Sequence, residues 1–195
     1  KTKMFYYFII LLVLPCFSLR LLSQDRDTIP DGVCRISEER SGNTDWFSDA
    51  GWGVFVHYLY DLQCVGDRIT NTGDYDTWDA MVNAFDTDRF ASQIAETGAG
   101  YVIFTMMQRT RYLIAPNQNY NDLTGYKTGE ACSSRDLVAD LIESLDNYDI
   151  KLMLYWTGDG PRQDEQAAEV IGGWDGKVTD KYVNNWAKVV AEYGR

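Results

Sequence analysis

Three short, nearly unbroken apolar runs punctuate the chain: Gly51-Trp-Gly-Val-Phe-Val-His-Tyr58, Gly100-Tyr-Val-Ile-Phe-Thr-Met106 and Ile150-Lys-Leu-Met-Leu-Tyr-Trp156. Runs of about seven residues, rich in β-branched and aromatic side chains, predict strands buried on both faces, as in a parallel sheet. Between and after them the apolar period changes. Phe90, Ile94 and Ala95 line one face of 87–97, and Gly98 supplies a stop. Leu137, Val138, Leu141, Ile142 and Leu145 form a second helical stripe, with Ser133 or Ser134 as cap and Asp136 near the positive end. Tyr182, Val183, Trp186, Val189, Val190 and Tyr193 form a third.

Strand then helix, repeated at near-even spacing, implies right-handed β-α-β units. No glycine fingerprint comes after any of the strands, so a doubly wound sheet with a dinucleotide site lacks support, and no cofactor is implied. The segments 59–85, 107–132 and 157–178 are instead full of Trp, Tyr, Asn, Asp and Gly. Barrel enzymes build their sites from such loops at the C-terminal ends of the strands, so the expected architecture is an α/β (β/α)₈ TIM-type barrel. Three of its units are visible, and the last residues, Gly194-Arg195, stand where a helix is due to hand over to a fourth strand. The pattern therefore reads as the front part of a longer protein.

The first residues are patterned differently. Lys1 and Lys3 precede ten apolar residues, Phe5 to Leu14, which is the form of a secretory signal peptide and too short for a comfortable bilayer span. This divides the chain into a signal peptide at 1–23, a lead-in at 24–44 and a catalytic-domain portion at 45–195, with a secreted or periplasmic location. Cys16 leaves open a lipoprotein, the only membrane contact expected, although Leu14 and Pro15 fit a lipidation site poorly. Export would remove three basic and no acidic side chains from a chain already at −11. Phosphate binding needs a concentrated basic surface, so nucleic acid is not an expected partner. Cys34, Cys64 and Cys132 would remain, an odd number with no metal-site spacing, and no metal is expected.

His57, the one histidine, stands at the end of the first strand. Gln108, Arg109 and Arg111 come after the second; Trp156, Asp159 and Arg162 come at or after the end of the third. Aromatic rings beside Gln, Asn, Arg and His donors suit a sugar, with its apolar face and rim of hydroxyls. Glycoside hydrolysis commonly needs two carboxylates, and spacing selects no pair from Asp61, Asp67, Asp74, Asp76 and Asp159.

The segment Asp45-Trp-Phe-Ser-Asp-Ala-Gly-Trp-Gly-Val-Phe-Val-His57 resembles the N-terminal signature of family 29 α-L-fucosidases, and the likeness continues through Phe85–Phe90, Ala95–Thr105, Arg135-Asp136-Leu-Val and Ile150–Tyr155 in family order. The resemblance implies a retaining exoglycosidase acting on an oligosaccharide or glycoconjugate, with His57 as a sugar-hydroxyl ligand. Trp156 would take an aromatic position after the third strand and Trp78 one in the first βα loop. Where those enzymes carry a Lys-His-His-Asp-Gly-Phe run, this chain has Met107-Gln-Arg-Thr-Arg-Tyr112. Gln108 and Arg109 thus replace two sugar-binding histidines, which favours a modified sugar or one with a negatively charged substituent. The family's nucleophile and acid/base would lie beyond Arg195, so no catalytic residue is assigned here. A catalytically inactive carbohydrate-binding barrel is the alternative.

Overall fold

A computed structural model describes residues 44–63, 75–172 and 179–193. The signal peptide, the lead-in up to residue 43, Cys34 and Cys64 lie outside the described residues. Along the chain come α1 (Asp45–Asp49), β1 (Gly53–Val56), α2 (Tyr60–Gln63), α3 (Trp78–Asn83), α4 (Thr87–Thr97) and β2 (Tyr101–Met107). Next are α5 (Gln118–Thr124), α6 (Leu137–Asp146), β3 (Lys151–Trp156), α7 (Glu165–Ile171) and α8 (Asp180–Ala191). The strands form one parallel sheet in the order β1-β2-β3. Each anticipated strand and each of the three long helices is present. The architecture among the described residues is thus mixed α/β with a small parallel sheet.

Register fixes the two faces of that sheet. Val54, Val102 and Leu152 are aligned, as are Val56, Phe104 and Leu154, and this set packs into the core beneath the helices. Val102 and Phe104 are fully buried there, with Ala91 of α4 and with Leu141 and Leu145 of α6 in the same core. The alternate set, Phe55, Ile103, Met153 and Tyr155, lies on the opposite face. Phe55 is 46% exposed and the other three are half-buried. The unbroken apolar pattern anticipates burial on both faces, but among the described residues only the helical side is filled.

Helix ends obey local chemistry. Asp86 caps α4 by accepting from Arg89 N, and Gly98 closes it at φ 75°, in the left-handed region that glycine enters without steric cost. Asp136, not Ser133 or Ser134, caps α6, accepting from Ala139 N. The two serines are committed elsewhere: both hydroxyls donate to the Asp79 carboxylate, at 3.3 and 2.9 Å. Arg135 joins two helices. Its Nη1 donates to the carbonyls of Val82, Asn83 and Phe85 at the end of α3, and its Nε pairs with Asp140 of α6 at 2.6 Å. A guanidinium there satisfies carbonyls that the helix leaves open.

Two stripe positions differ from expectation. Ile142 is 53% exposed and Val183 52%, because each helix turns a narrower face to the core than its apolar residues alone imply. Polar segments expected as loops also hold short helices. α5 is capped by Asn117, whose side-chain amide also reaches Val189 O in α8 at 2.9 Å, and α7 is capped by Asp164.

Gly100 marks the tightest backbone approach at the entry to β2. A Cβ there would lie 2.5 Å from Ala50 O, and its own N–H donates to Trp52 O at 2.9 Å. Gly100→Ala should therefore cost about 2 kcal/mol through overpacking, read as a lowered thermal midpoint with unchanged helix content. Alkali should also weaken the fold. Burial pushes the Cys132 thiol from 9.0 up to about 12 and raises Tyr120 and Tyr193 as well. The folded thiol keeps its proton where the unfolded chain has lost it, so this contribution is whole below pH 9 and is lost progressively as pH rises toward 12. Urea unfolding at neutral and alkaline pH should show that decline, with a shallower slope in Cys132→Ala.

Candidate functional site

The site is built by strand parity and by one irregularity. Side chains alternate faces along a strand, and through Thr105 the pairing of β2 with β3 is regular, Thr105 standing opposite Tyr155. Met107 then stands opposite Trp156, so one extra residue is accommodated at Met106. A bulge of this kind re-aims the side chains beyond it. Met106 and Met107 are both buried, and Gln108 emerges on the open face with Tyr155 and Thr157.

On that face His57 Nδ1 lies 3.0 Å from Gln108 Oε1. Against a carbonyl oxygen Nδ1 is the donor, and in the neutral tautomer Nε2 is then the acceptor. Phe55 lies 4.5 Å from the imidazole centroid, and Tyr155 stands edge-on to Phe55 at 4.8 Å. The result is a small aromatic platform with polar tips, set at the C-terminal ends of parallel strands.

Beside it opens a recess of about 510 Å³ whose lining includes Gln108, Arg109, Thr157, Asp159 and Arg162. Arg109 sits at φ 60°, a left-handed conformation that costs a side-chain-bearing residue about 1–2 kcal/mol. Three contacts hold it. Thr110 N donates to Gln108 O at 2.7 Å across the turn, Gln163 N donates to Arg109 O at 2.8 Å, and the guanidinium Nη2 meets Asp61 at 3.3 Å. Arg162 Nε pairs with Asp159 at 3.0 Å. Arg111 lies 5.0 Å from the ring centroids of both Tyr112 and Tyr126 and bonds Asp164 at 3.2 Å. Tyr126 donates to the other oxygen of Asp164 at 2.8 Å, so that carboxylate holds a ring and a cation while capping α7.

The structure brings His57, Gln108 and Arg109 together at the strand ends and separates the two tryptophans from them. Trp78 is only 3% exposed. It packs against Tyr58 and Tyr112 and donates its indole N–H to Leu113 O at 2.8 Å. Trp156 falls on the helical side of the sheet, edge-on to Trp186 at 5.2 Å and tilted against Tyr193. Neither lines the recess. Both are packing residues here, because burial claims the first and strand parity the second. Tyr155 and Thr157, one position either side of Trp156, occupy the open face instead. Alternation along β3 is the signal that selects them. Asp61 and Asp159 are each held by an arginine, whereas Asp67 and Asp74 lie outside the described residues.

No protein-family model matches the chain, and no curated protein matches it. Among solved structures the chain is similar to a Thermotoga maritima alpha-fucosidase in complex with fucose, at 16% identity and a TM-score of 0.49, over 75% of this chain and 43% of that one. It is also similar to a bacterial fucosidase with a monovalent iminocyclitol inhibitor, at 15% identity and 0.47, over 75% of this chain and 35% of that one. An α-L-fucosidase of glycoside hydrolase family 29 from Bacteroides thetaiotaomicron gives 16% identity and 0.45, over 74% of this chain and 34% of that one. The chain thus spans less than half the length of each of these structures. At such values the likeness assigns this chain no family and none of its residues a role.

Thr157 allows a direct test of the recess. Its hydroxyl is buried, at 8% exposure, and has no hydrogen-bond partner among the described residues. Thr157→Val keeps the shape and removes the unsatisfied group, so it should raise stability by about 1 kcal/mol, measured as a higher urea midpoint at constant slope.

Proposed function

We propose that this chain is the sugar-binding front part of a (β/α)₈ glycoside hydrolase. In this reading the enzyme resembles the α-L-fucosidases, is exported, and releases a terminal fucose-like sugar with retention of configuration. The observation that carries the reading is the His57–Gln108 pair: two polar side chains joined at 3.0 Å across adjacent parallel strands, at their C-terminal ends and away from the helices. Barrel enzymes hold substrate at this end of the sheet. His57 Nε2 can accept from a sugar hydroxyl, and the Gln108 amide nitrogen can donate to one. The rings of Phe55 and Tyr155 can cover the apolar face of a deoxy sugar.

The chemistry proposed for the whole protein is a double displacement. One carboxylate attacks the anomeric carbon while an acid protonates the leaving oxygen, and water then releases the sugar; the two carboxyl groups stand about 5–5.5 Å apart. Both are proposed to come from chain beyond Arg195. The contribution of His57 and Gln108 is orientation: they fix the ring hydroxyls so that the anomeric carbon meets the nucleophile in line.

A second reading is a catalytically inactive sugar-binding barrel. The Gln108-Arg109 pair favours it, since it stands where the family that the sequence resembles carries two histidines. One assay separates the two. The full-length, signal-free protein, including the chain beyond Arg195, is incubated with aryl α-L-fucosides, 2-O-methyl-fucosides and β-galactosides, and aglycone release is monitored. Release from a fucose-type donor is expected, with kcat/KM falling about 10–100-fold in His57→Ala as one substrate hydrogen bond is lost. Silence across the panel, with calorimetric binding of one of these sugars, would establish the binding protein instead.

A further inference from the structure

We propose that Gln108 is a positioning residue for His57. Its amide oxygen fixes the imidazole as the Nδ1–H tautomer, so that Nε2 accepts and the site selects a sugar hydroxyl that is free to donate. The inference rests on the carbohydrate reading and names what that same site demands of its substrate.

The contact itself is the first argument. His57 Nδ1 lies 3.0 Å from Gln108 Oε1. An amide oxygen can only accept, so this hydrogen bond exists only with the proton on Nδ1. A free histidine side chain in water favours the other tautomer, with the proton on Nε2. A neighbouring acceptor must therefore reverse that preference, and Gln108 stands in place to do so. In the neutral ring Nε2 is then an acceptor alone, and the geometry of the imidazole turns it away from Gln108. It makes no hydrogen bond among the described residues, and the ring is exposed on the open face.

The second argument is that both partners are held. Thr105 Oγ1 donates to Val56 O at 3.0 Å, which ties the residue before His57 to β2. Thr110 N donates to Gln108 O at 2.7 Å and fixes the turn that carries the amide. Phe55 lies against the imidazole with ring centroids 4.5 Å apart, and Tyr155 stands edge-on to it at 6.0 Å. These contacts limit the ring rotation that would present the carbon edge of the imidazole to Gln108.

Discrimination is the third. A nitrogen with a lone pair and no proton takes a hydroxyl hydrogen and gains nothing from an ether, a fluorine or an oxyanion. A site built around such a bond rejects analogues that lack the hydroxyl. With the tautomer reversed, Nε2 would donate, and any of those groups could stand in the same place.

Two measurements on the full-length, signal-free protein test the proposal. Long-range nitrogen–proton correlation spectra, recorded at alkaline pH, distinguish the tautomers, and the His57 signal is assigned by its loss in His57→Ala. The Nδ1–H form is expected in the unsubstituted protein, with a change toward Nε2–H in Gln108→Leu. Gln108→Glu, whose carboxylate still accepts, should retain Nδ1–H. Calorimetry with L-fucose and its monodeoxyfluoro analogues reads the selection. One analogue should bind about fivefold or more weakly than L-fucose, because fluorine cannot donate to Nε2. That difference should vanish in Gln108→Leu and survive in Gln108→Glu, both shown folded by circular dichroism; the unsubstituted protein's spectrum decides even where a variant does not fold. An Nε2–H form in that spectrum, an unchanged tautomer in folded Gln108→Leu, or equal binding of L-fucose and every analogue would overturn this inference and leave the sugar reading intact. Failure of every sugar to bind would overturn the carbohydrate reading, and this one with it.

Discussion

One extra residue in β2 decides what the open face of the sheet can do. Without the bulge at Met106, strict alternation would place Met107 on the open face and turn Gln108 toward the helices. With it, the apolar Met107 joins the core and an amide arrives beside His57. Along β3 undisturbed alternation puts Thr157 on the recess and Trp156 in the helical layer. The polar strand ends thus combine one register shift in β2 with regular alternation in β3.

The chain after β2 is tied to the start of α7 by polar contacts. Asp164 accepts from Arg111, from Tyr126 and from the first turn of α7, so one carboxylate fixes a ring, a cation and a helix start. Arg111 sits against two tyrosine rings, which limits its freedom more than a surface ion pair would. Burial of apolar surface supplies the stability of the layer below. The polar braces decide geometry more than energy.

Much of this was legible in the residues. Helix 87–97 has its predicted bounds, since Gly98 ends it by a conformation few other residues adopt, and β3 was marked by an unmistakable apolar run. His57, Gln108 and Arg109 come from placing polar residues at strand ends. The bulge left no trace, because Tyr101–Met107 is apolar at nearly every position and a shift within a uniform run breaks no pattern. Trp156 follows the plain alternation of β3, where one residue of parity separates the helical layer from the open face that holds Tyr155 and Thr157. Trp78 is buried for a different reason. An aromatic in a polar stretch reads as surface, yet here the polar stretch is a capped helix whose first ring enters the core. Ser133 and Ser134 were credible caps until Asp79, distant in sequence, claimed both hydroxyls.

Arg135 binds chain from before β2 to chain from after it. Its donors reach the carbonyls of residues 82–85, while the next residue, Asp136, begins α6. Together these contacts close a loop of covalent chain that contains α4, β2 and α5. The turn bearing Gln108 and Arg109 lies within that loop. A polar contact on the helical side, remote from any sugar, thus shortens the free chain that carries the binding face and lowers the entropy it can gain by opening.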